Sequence, residues 1–335
     1  MNISNLRDQL FTVYAVAAMT GCGGSSWTPS AASPESGAAP LTASRAEDGA
    51  QESGPSWMQV KAGSADLLYV SDVRKVTVYS YPAGNLVGVL KHFYIASGLC
   101  VDRNGDVFVV DNGYSKIFEY RHGGTKRIAT LSNPTRGPLG CSVDPTTGNL
   151  AVTSLGSAST PTVAIYKGAR GAPVTYQDPA FYEFFFCGYD GNGNLFADGI
   201  TSPGSGHFGL AELPQGKAKL ENISLSQYIA WPGGVQWDGE HVAVGDQASP
   251  IIYQLSISNG QAVTEGETHM GSRARNVAQF WIQGSRLIAP NTIPGRGGLG
   301  SKALIYAYPA GGKALEKISK GVIAAEGAVV SLAGQ

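Results

Sequence analysis

The chain predicts an all-β fold, a six-bladed β-propeller of four-stranded antiparallel blades, from a repeated Asp–Gly phrase, a repeated tyrosine strand and a turn-rich composition. The phrase is an apolar stretch ending in Asp, a Gly turn and a second apolar stretch. It reads Leu99-Cys100-Val101-Asp102 with Gly105-Asp106-Val107-Phe108-Val109, then Cys141-Ser142-Val143-Asp144 with Gly148-Asn149-Leu150-Ala151-Val152. It returns at Cys187-Gly188-Tyr189-Asp190 and Val235-Gln236-Trp237-Asp238. The four aspartates follow one another at 42, 46 and 48 residues, the period of a propeller blade rather than of a helical repeat. With 45 Gly, 18 Pro, 15% charged and 43% hydrophobic residues, the 335-residue chain can bury a large core but is too rich in turn formers for long helices.

The strand that ends in tyrosine or leucine recurs six times, around Tyr79, Tyr120, Tyr166, Leu213, Leu255 and Tyr306. The first and last copies both run on into Tyr-Pro-Ala-Gly, at Tyr81 and Tyr308. The innermost strand of the first blade is missing at its N-terminal end, where the folded part opens directly on Leu67-Leu68-Tyr69-Val70-Ser71-Asp72. Glu326-Gly327-Ala328-Val329-Val330-Ser331 supplies that strand from the C-terminus, which closes the ring and leaves no free inner edge.

Within the innermost strands, the positions one and three before each Asp are apolar and share a face by the period of two: Val101 and Leu99, Val143 and Cys141, Tyr189 and Cys187, Trp237 and Val235. The other face carries Cys100, Ser142, Gly188 and Gln236, small or mixed residues suited to crowding near the axis. Cys141 and Cys187 stand at one register, and Cys100 is one residue out of step, on the opposite face. The plain expectation is three buried small hydrophobes. A Cys141–Cys187 bridge between neighbouring blades in an oxidising compartment is the alternative.

The N-terminal region is different material. Residues 1–21 read as a signal peptide, with Leu10–Met19 as its short uncharged stretch. Residues 22–57, dominated by Ser, Ala, Pro, Gly and Glu, read as a flexible tether, and 58–335 as the propeller. No run approaches the length of a membrane-spanning helix. A formal net charge of -1 provides no basic field for nucleic acid or anionic headgroups, and the propeller is expected to be a monomer.

Met19-Thr20-Gly21-Cys22-Gly23 resembles the lipobox of bacterial lipoproteins. The resemblance implies a diacylated Cys22, export, and contact with a membrane through the lipid anchor alone. Gly23 rather than Asp after the Cys points to the outer membrane or cell surface. A tether of this length would hold the globular part on the order of 30 Å from the bilayer.

Across residues 66–333 the blades, with their Val-Asp, Gly-Asn or Gly-Asp turn and following strand, resemble the NHL-repeat and SMP-30-like propellers. Lactonases of the latter group hold a divalent cation at the channel mouth with Glu, Asn and Asp. The corresponding second-strand ends here are Asp72, Asp111 with Asn112, Thr153, Asp198, Asp246 and Asn291, and the Glu has no counterpart. A metal-dependent lactonase or lyase using Asp72, Asp111, Asp198 and Asp246 is therefore one alternative. The plainer reading is that Asp at such strand ends caps the following loop.

Two strings, Asp102–Asp106 and Asp190–Asn194, resemble the start of a calcium loop. They lie between two strands of one blade and lack the Glu at position twelve, so they read as hairpin turns. Glu267-Thr268-His269 with His241 resembles the Glu-x-His pair of streptogramin lyases over two residues only. His269 falls on an outer strand and His241 in a turn on the other rim. No nucleophile–base order, HExxH or phosphate loop occurs, so no catalytic residue and no cofactor is assigned.

Loops joining second to third strands and those joining blades emerge on one rim, and three of them are long: 153–162, 198–209 and 291–303. That rim is aromatic and cationic, with Tyr94, Arg136, Tyr182, Phe184, Tyr228, Trp231 and Arg273 as candidate ligand contacts. Alternatively, Phe184 and Phe186 turn inward and plug the space between blades. The expected function is a non-enzymatic binding module for a carbohydrate or protein partner, with a purely structural envelope protein as a further alternative.

Overall fold

The computed structural model describes residues 54–156, 160–203, 207–271, 274, 276–292 and 301–334. Cys22, the signal peptide, all of the tether before Gly54, and Arg273 lie outside them. The first described strand lies at the edge of the expected tether. β1 (Trp57–Met58) lies on β3 (Leu86–Val101), with Trp57 opposite Val89 and Met58 opposite Gly88. A side chain at Gly88 would run into the Met58 sulfur, so this glycine makes room for the extra strand.

β2 (Leu67–Ser80) turns back on itself at Val73 (φ 42°), and Tyr81 N–H then donates to the Asp66 carbonyl at 2.8 Å. β3 turns likewise at His92 (φ 70°). Its first half pairs with β2, and its second half pairs with β4 (Val107–Asp111), followed by β5 (Lys116–Tyr120) and β6 (Arg127–Ser132). Four-stranded antiparallel meanders follow. One is β7 (Pro138–Val143), β8 (Leu150–Ser154), β9 (Thr162–Tyr166) and β10 (Val174–Tyr176). The next is β11 (Glu183–Tyr189), β12 (Leu195–Ile200), β13 (Phe208–Leu213) and β14 (Glu221–Leu225).

Another is β15 (Pro232–Trp237), β16 (Val242–Asp246), β17 (Ile251–Ser258) and β18 (Gln261–His269); its outer strand joins β14 in parallel at Ser224 and Leu225. The last is β19 (Trp281–Gln283), β20 (Arg286–Asn291), β21 (Lys302–Ala307) and β22 (Gly311–Ile318). β23 (Ala325–Ser331) returns from the C-terminus to pair antiparallel with β2, Leu67 opposite Ser331 and Tyr69 opposite Val329. The result is an all-β, β-propeller-like fold.

The repeated Asp is a turn residue. The Asp102 Oδ1 accepts the N–H groups of Asn104 and Asp106, both at 2.9 Å, and Asp190 Oδ1 accepts those of Asn192 and Asn194 at 2.9 and 2.8 Å. Asp238 takes Glu240 and His241 in the same way. Such Asx turns close hairpins by satisfying backbone donors that the ladder leaves over.

The repeated tyrosine is core. Tyr79, Tyr120, Tyr166 and Tyr306 are all fully buried. Three of them keep the phenol satisfied: Tyr79 donates to the Lys320 carbonyl, Tyr166 donates to the Ser132 carbonyl, and Tyr120 accepts from the Arg127 Nε. Each such burial is worth roughly 2 kcal/mol of hydrophobic stabilisation, conditional on the hydroxyl finding a partner.

All three cysteines are buried as expected, Cys187 as a free small hydrophobe, but the expected pairing is corrected. Cys100 and Cys141 form a disulfide with Cα atoms 5.7 Å apart, while Cys187 is free and buried. The reason is geometric. Cys141 and Cys187 share a register, so both face the preceding unit and cannot meet; Cys141 lies in one cluster with Cys100, and Cys187 in the next with Ala151 and Val163. Two sheets packed face to face meet through opposite faces, so the residue out of step is the one that can bridge.

That face is also where neighbouring first strands come closest. A Cβ on Gly98, Gly140 or Gly188 would lie within 2.3–2.8 Å of backbone atoms of the next unit's first strand. The small residues there are therefore required by converging backbones.

Candidate functional site

The strand-end carboxylates are buried and occupied by their own units. Asp111 accepts the N–H groups of Tyr94 (2.8 Å), Ile95 (3.1 Å) and Tyr114 (3.1 Å). Asp246 accepts those of Ala230 (3.0 Å), Trp231 (3.2 Å) and Ala248 (2.9 Å). Asp72 accepts Ile323 (2.8 Å) and Ala324 (2.6 Å), with the Lys75 ammonium 4.0 Å away. Each anchors the loop that enters the neighbouring first strand.

At Asp198 only Oδ1 is engaged, by Phe186 N–H at 2.7 Å, and burial pushes this carboxyl well above the usual carboxylate range. In the unit of β7 and β8 the same place is taken by Thr153, whose hydroxyl accepts Gly140 N–H and donates to the Phe185 carbonyl. A cation shared by the four carboxylates would have to displace these amides. Among the described residues no three His, Cys, Asp or Glu side chains converge as a metal site would require. His269 Nε2 lies 2.7 Å from Glu267 Oε2 on exposed outer strand β18, while His241 sits in the β15–β16 turn.

The aromatic candidates separate into two groups. Phe184 is fully buried and stacks on Phe181 with centroids 4.5 Å apart, and Trp231 is buried edge-on to Phe185 at 5.9 Å. Both are core rather than rim, because the first strand at 183–189 needs apolar cover on both faces. Tyr94 and Tyr182 are half-buried, and Arg136 and Tyr228 are exposed.

Around Tyr94 the structure assembles a group that sequence spacing does not indicate. The Arg74 guanidinium lies over the Tyr94 ring, 4.9 Å from its centroid, and Tyr114 stands 5.5 Å from the same ring on its other contacts. Arg74 comes from the β2 turn, Tyr94 from the middle of β3 and Tyr114 from the β4–β5 turn. Two local features hold the group. Val73, a β-branched residue at φ 42°, forms the tight turn next to Arg74, a conformation that costs free energy and is retained where surroundings enforce it. Gly113 leaves space that the Tyr94 ring fills; a Cβ there would lie 1.8 Å from a ring carbon.

A second feature on the same rim is a groove of about 410 Å³ beside Tyr228, between the β12–β13 loop and the end of β14. Thr201, His207, Asn222 and Gln227 are polar residues of its lining, and Phe208, Leu210, Ile223, Leu225 and Ile229 are apolar ones. On the opposite rim a smaller cavity of about 200 Å³ lies along the axis, lined by Ser142, Tyr189, Trp237 and Trp281 among others. Neither cavity was foreseeable from loop length alone, since both are built by residues of several strands.

No family model matches the chain, and no curated protein matches it in sequence. Solved structures do match in fold. One, of a nidogen/laminin complex, superposes with a TM-score of 0.64 at 11% identity over 80% of this chain and 99% of that one. A protein of unknown function from Bacteroides caccae gives 0.62 at 13% identity, again over 80% and 99%. A functionally unknown protein from Desulfotomaculum acetoxidans gives 0.55 at 12% over the same shares.

Proposed function

We propose that the protein is a single six-bladed propeller of the NHL/SMP-30-like kind, closed by β23, which serves as a non-enzymatic, surface-tethered binding module of the bacterial cell envelope. Its partner is a carbohydrate or a protein. The blade count rests on six first strands: β23, the second half of β3, β7, β11, β15 and β19. Five of them carry an irregularity at the same place, just before the apolar run or its equivalent. Side-chain amides support closure around the axis: Gln236 exchanges two hydrogen bonds with the Ile282 backbone, and Gln279 exchanges two with Leu99.

Export through the lipobox-like Cys22 is supported by the Cys100–Cys141 disulfide, since such bonds persist in oxidising compartments. The observation that carries the binding reading is the Arg74–Tyr94–Tyr114 group. It is a partly exposed cation–aromatic surface set on the rim by a strained turn, while Asp72, Asp111 and Asp246 are engaged through both carboxylate oxygens by backbone.

The test is capture from a cell-envelope extract by the immobilised propeller, with bound glycan and protein quantified. Tyr94→Ala and Gly113→Ala are expected to reduce capture at least tenfold while leaving thermal unfolding cooperative. Capture unchanged in both, and in Tyr182→Ala, would sink the reading.

A further inference from the structure

We propose that the groove beside Tyr228 is a binding site for a neutral carbohydrate chain; this deepens, and rests on, the reading of the rim as a binding surface. Three properties of the groove select that ligand class. Tyr228 is 74% exposed, so its ring face is available to the solvent and to a flat apolar surface such as the C–H face of a pyranose. Leu225 and its apolar neighbours line the groove together with the polar residues Thr201, His207, Asn222 and Gln227. Side-chain amides and hydroxyls both donate and accept, which matches the hydroxyl groups of a sugar, each of which also does both.

The third property is charge. Among the described residues, no Asp, Glu, Lys or Arg lines the groove. A uronic acid, a phosphate or an acidic peptide would lose hydration there without gaining an ion pair, whereas a neutral sugar carries no such penalty. The volume of about 410 Å³ lies within the range of small-ligand sites. The Gln227 side-chain amide donates to the Tyr228 carbonyl at 3.2 Å.

The experiment titrates the full chain at pH 7.5 with neutral glucan, mannan and galactan oligosaccharides of three to six units, and with oligogalacturonate as the charged control. At least one neutral series is expected to bind, with affinity unchanged between 0.05 and 0.5 M salt. Tyr228→Ala is expected to weaken it tenfold or more and Asn222→Ala several-fold, while Tyr228→Phe retains it. Absence of binding by every neutral series, preference for oligogalacturonate, or an unaffected Tyr228→Ala would overturn the site. In that event, loss of envelope capture by Tyr94→Ala would leave the binding reading standing, and intact capture would remove both.

Discussion

At the scale of single residues, the acidic side chains of this protein act mainly through backbone. Asp102, Asp190 and Asp238 close hairpins, and Asp72, Asp111 and Asp246 seat the loops that enter neighbouring first strands. Glu326 at the head of β23 is different: burial, and secondarily the Asp72 carboxylate, push its pKa up to about 7. A carboxyl whose folded pKa is raised contributes most to stability below its unfolded pKa, and that contribution is lost as pH rises through the folded value. Stability should therefore fall between about pH 4.5 and 7, on the order of 3 kcal/mol from this group. Asp198, also raised, adds to the same slope. Thermal unfolding at pH 5 and pH 8 is expected to show wild type losing stability at the higher pH, and Glu326→Gln losing distinctly less; an identical loss in both proteins would show that Glu326 does not titrate in this way.

Among the elements, the contact between the unit of β3–β6 and that of β7–β10 is the one held covalently. The Cys100–Cys141 bond closes a loop with a sequence separation of 41, for which chain entropy gives about 3–4 kcal/mol of stabilisation. Cys100→Ser is expected to lower the free energy of unfolding by that amount, with a lower urea midpoint and a steeper slope because the unfolded chain is no longer restricted, and wild type in reductant should fall to the same midpoint. Cys187→Ala should cost far less, because burial raises the pKa of its thiol and it bridges nothing. Equal loss in the Cys100 and Cys187 variants, with no response of wild type to reductant, would contradict the pairing.

For the whole molecule, the pairing of β23 with β2 joins the two ends of the described chain. Tyr69, on β2 opposite Val329 and buried, has its phenol fixed by Gly123 N–H and its pKa pushed up to about 12 by burial. Removing residues 321–335 would expose the inner edge of β2 and the apolar faces of Leu68 and Val70. The truncated protein is expected to be insoluble or rapidly cleaved by protease; a soluble, cooperatively unfolding product would reject ring closure. Export makes a separate claim on the intact protein, whose mature N-terminus from the native host should be a lipid-modified Cys22 by mass spectrometry, with an intact Met1 as the contrary result.

The amino-acid sequence alone determined the all-β class, the blade period, the Asp turns and the strand pairing of the C-terminus. These follow from patterns local to a few residues: alternation along a strand, Asx chemistry in a turn, a tyrosine at a fixed offset. The tertiary structure alone decided what meets across units. It joined Cys100 to Cys141 because facing sheets present opposite registers, and it buried Phe184 and Trp231 while leaving Tyr228 outside. It also brought Arg74, Tyr94 and Tyr114 into one group. Those outcomes depend on the rotation and spacing between neighbouring sheets, which arise from packing of the whole set of sheets and leave no signature in the spacing of residues along the chain.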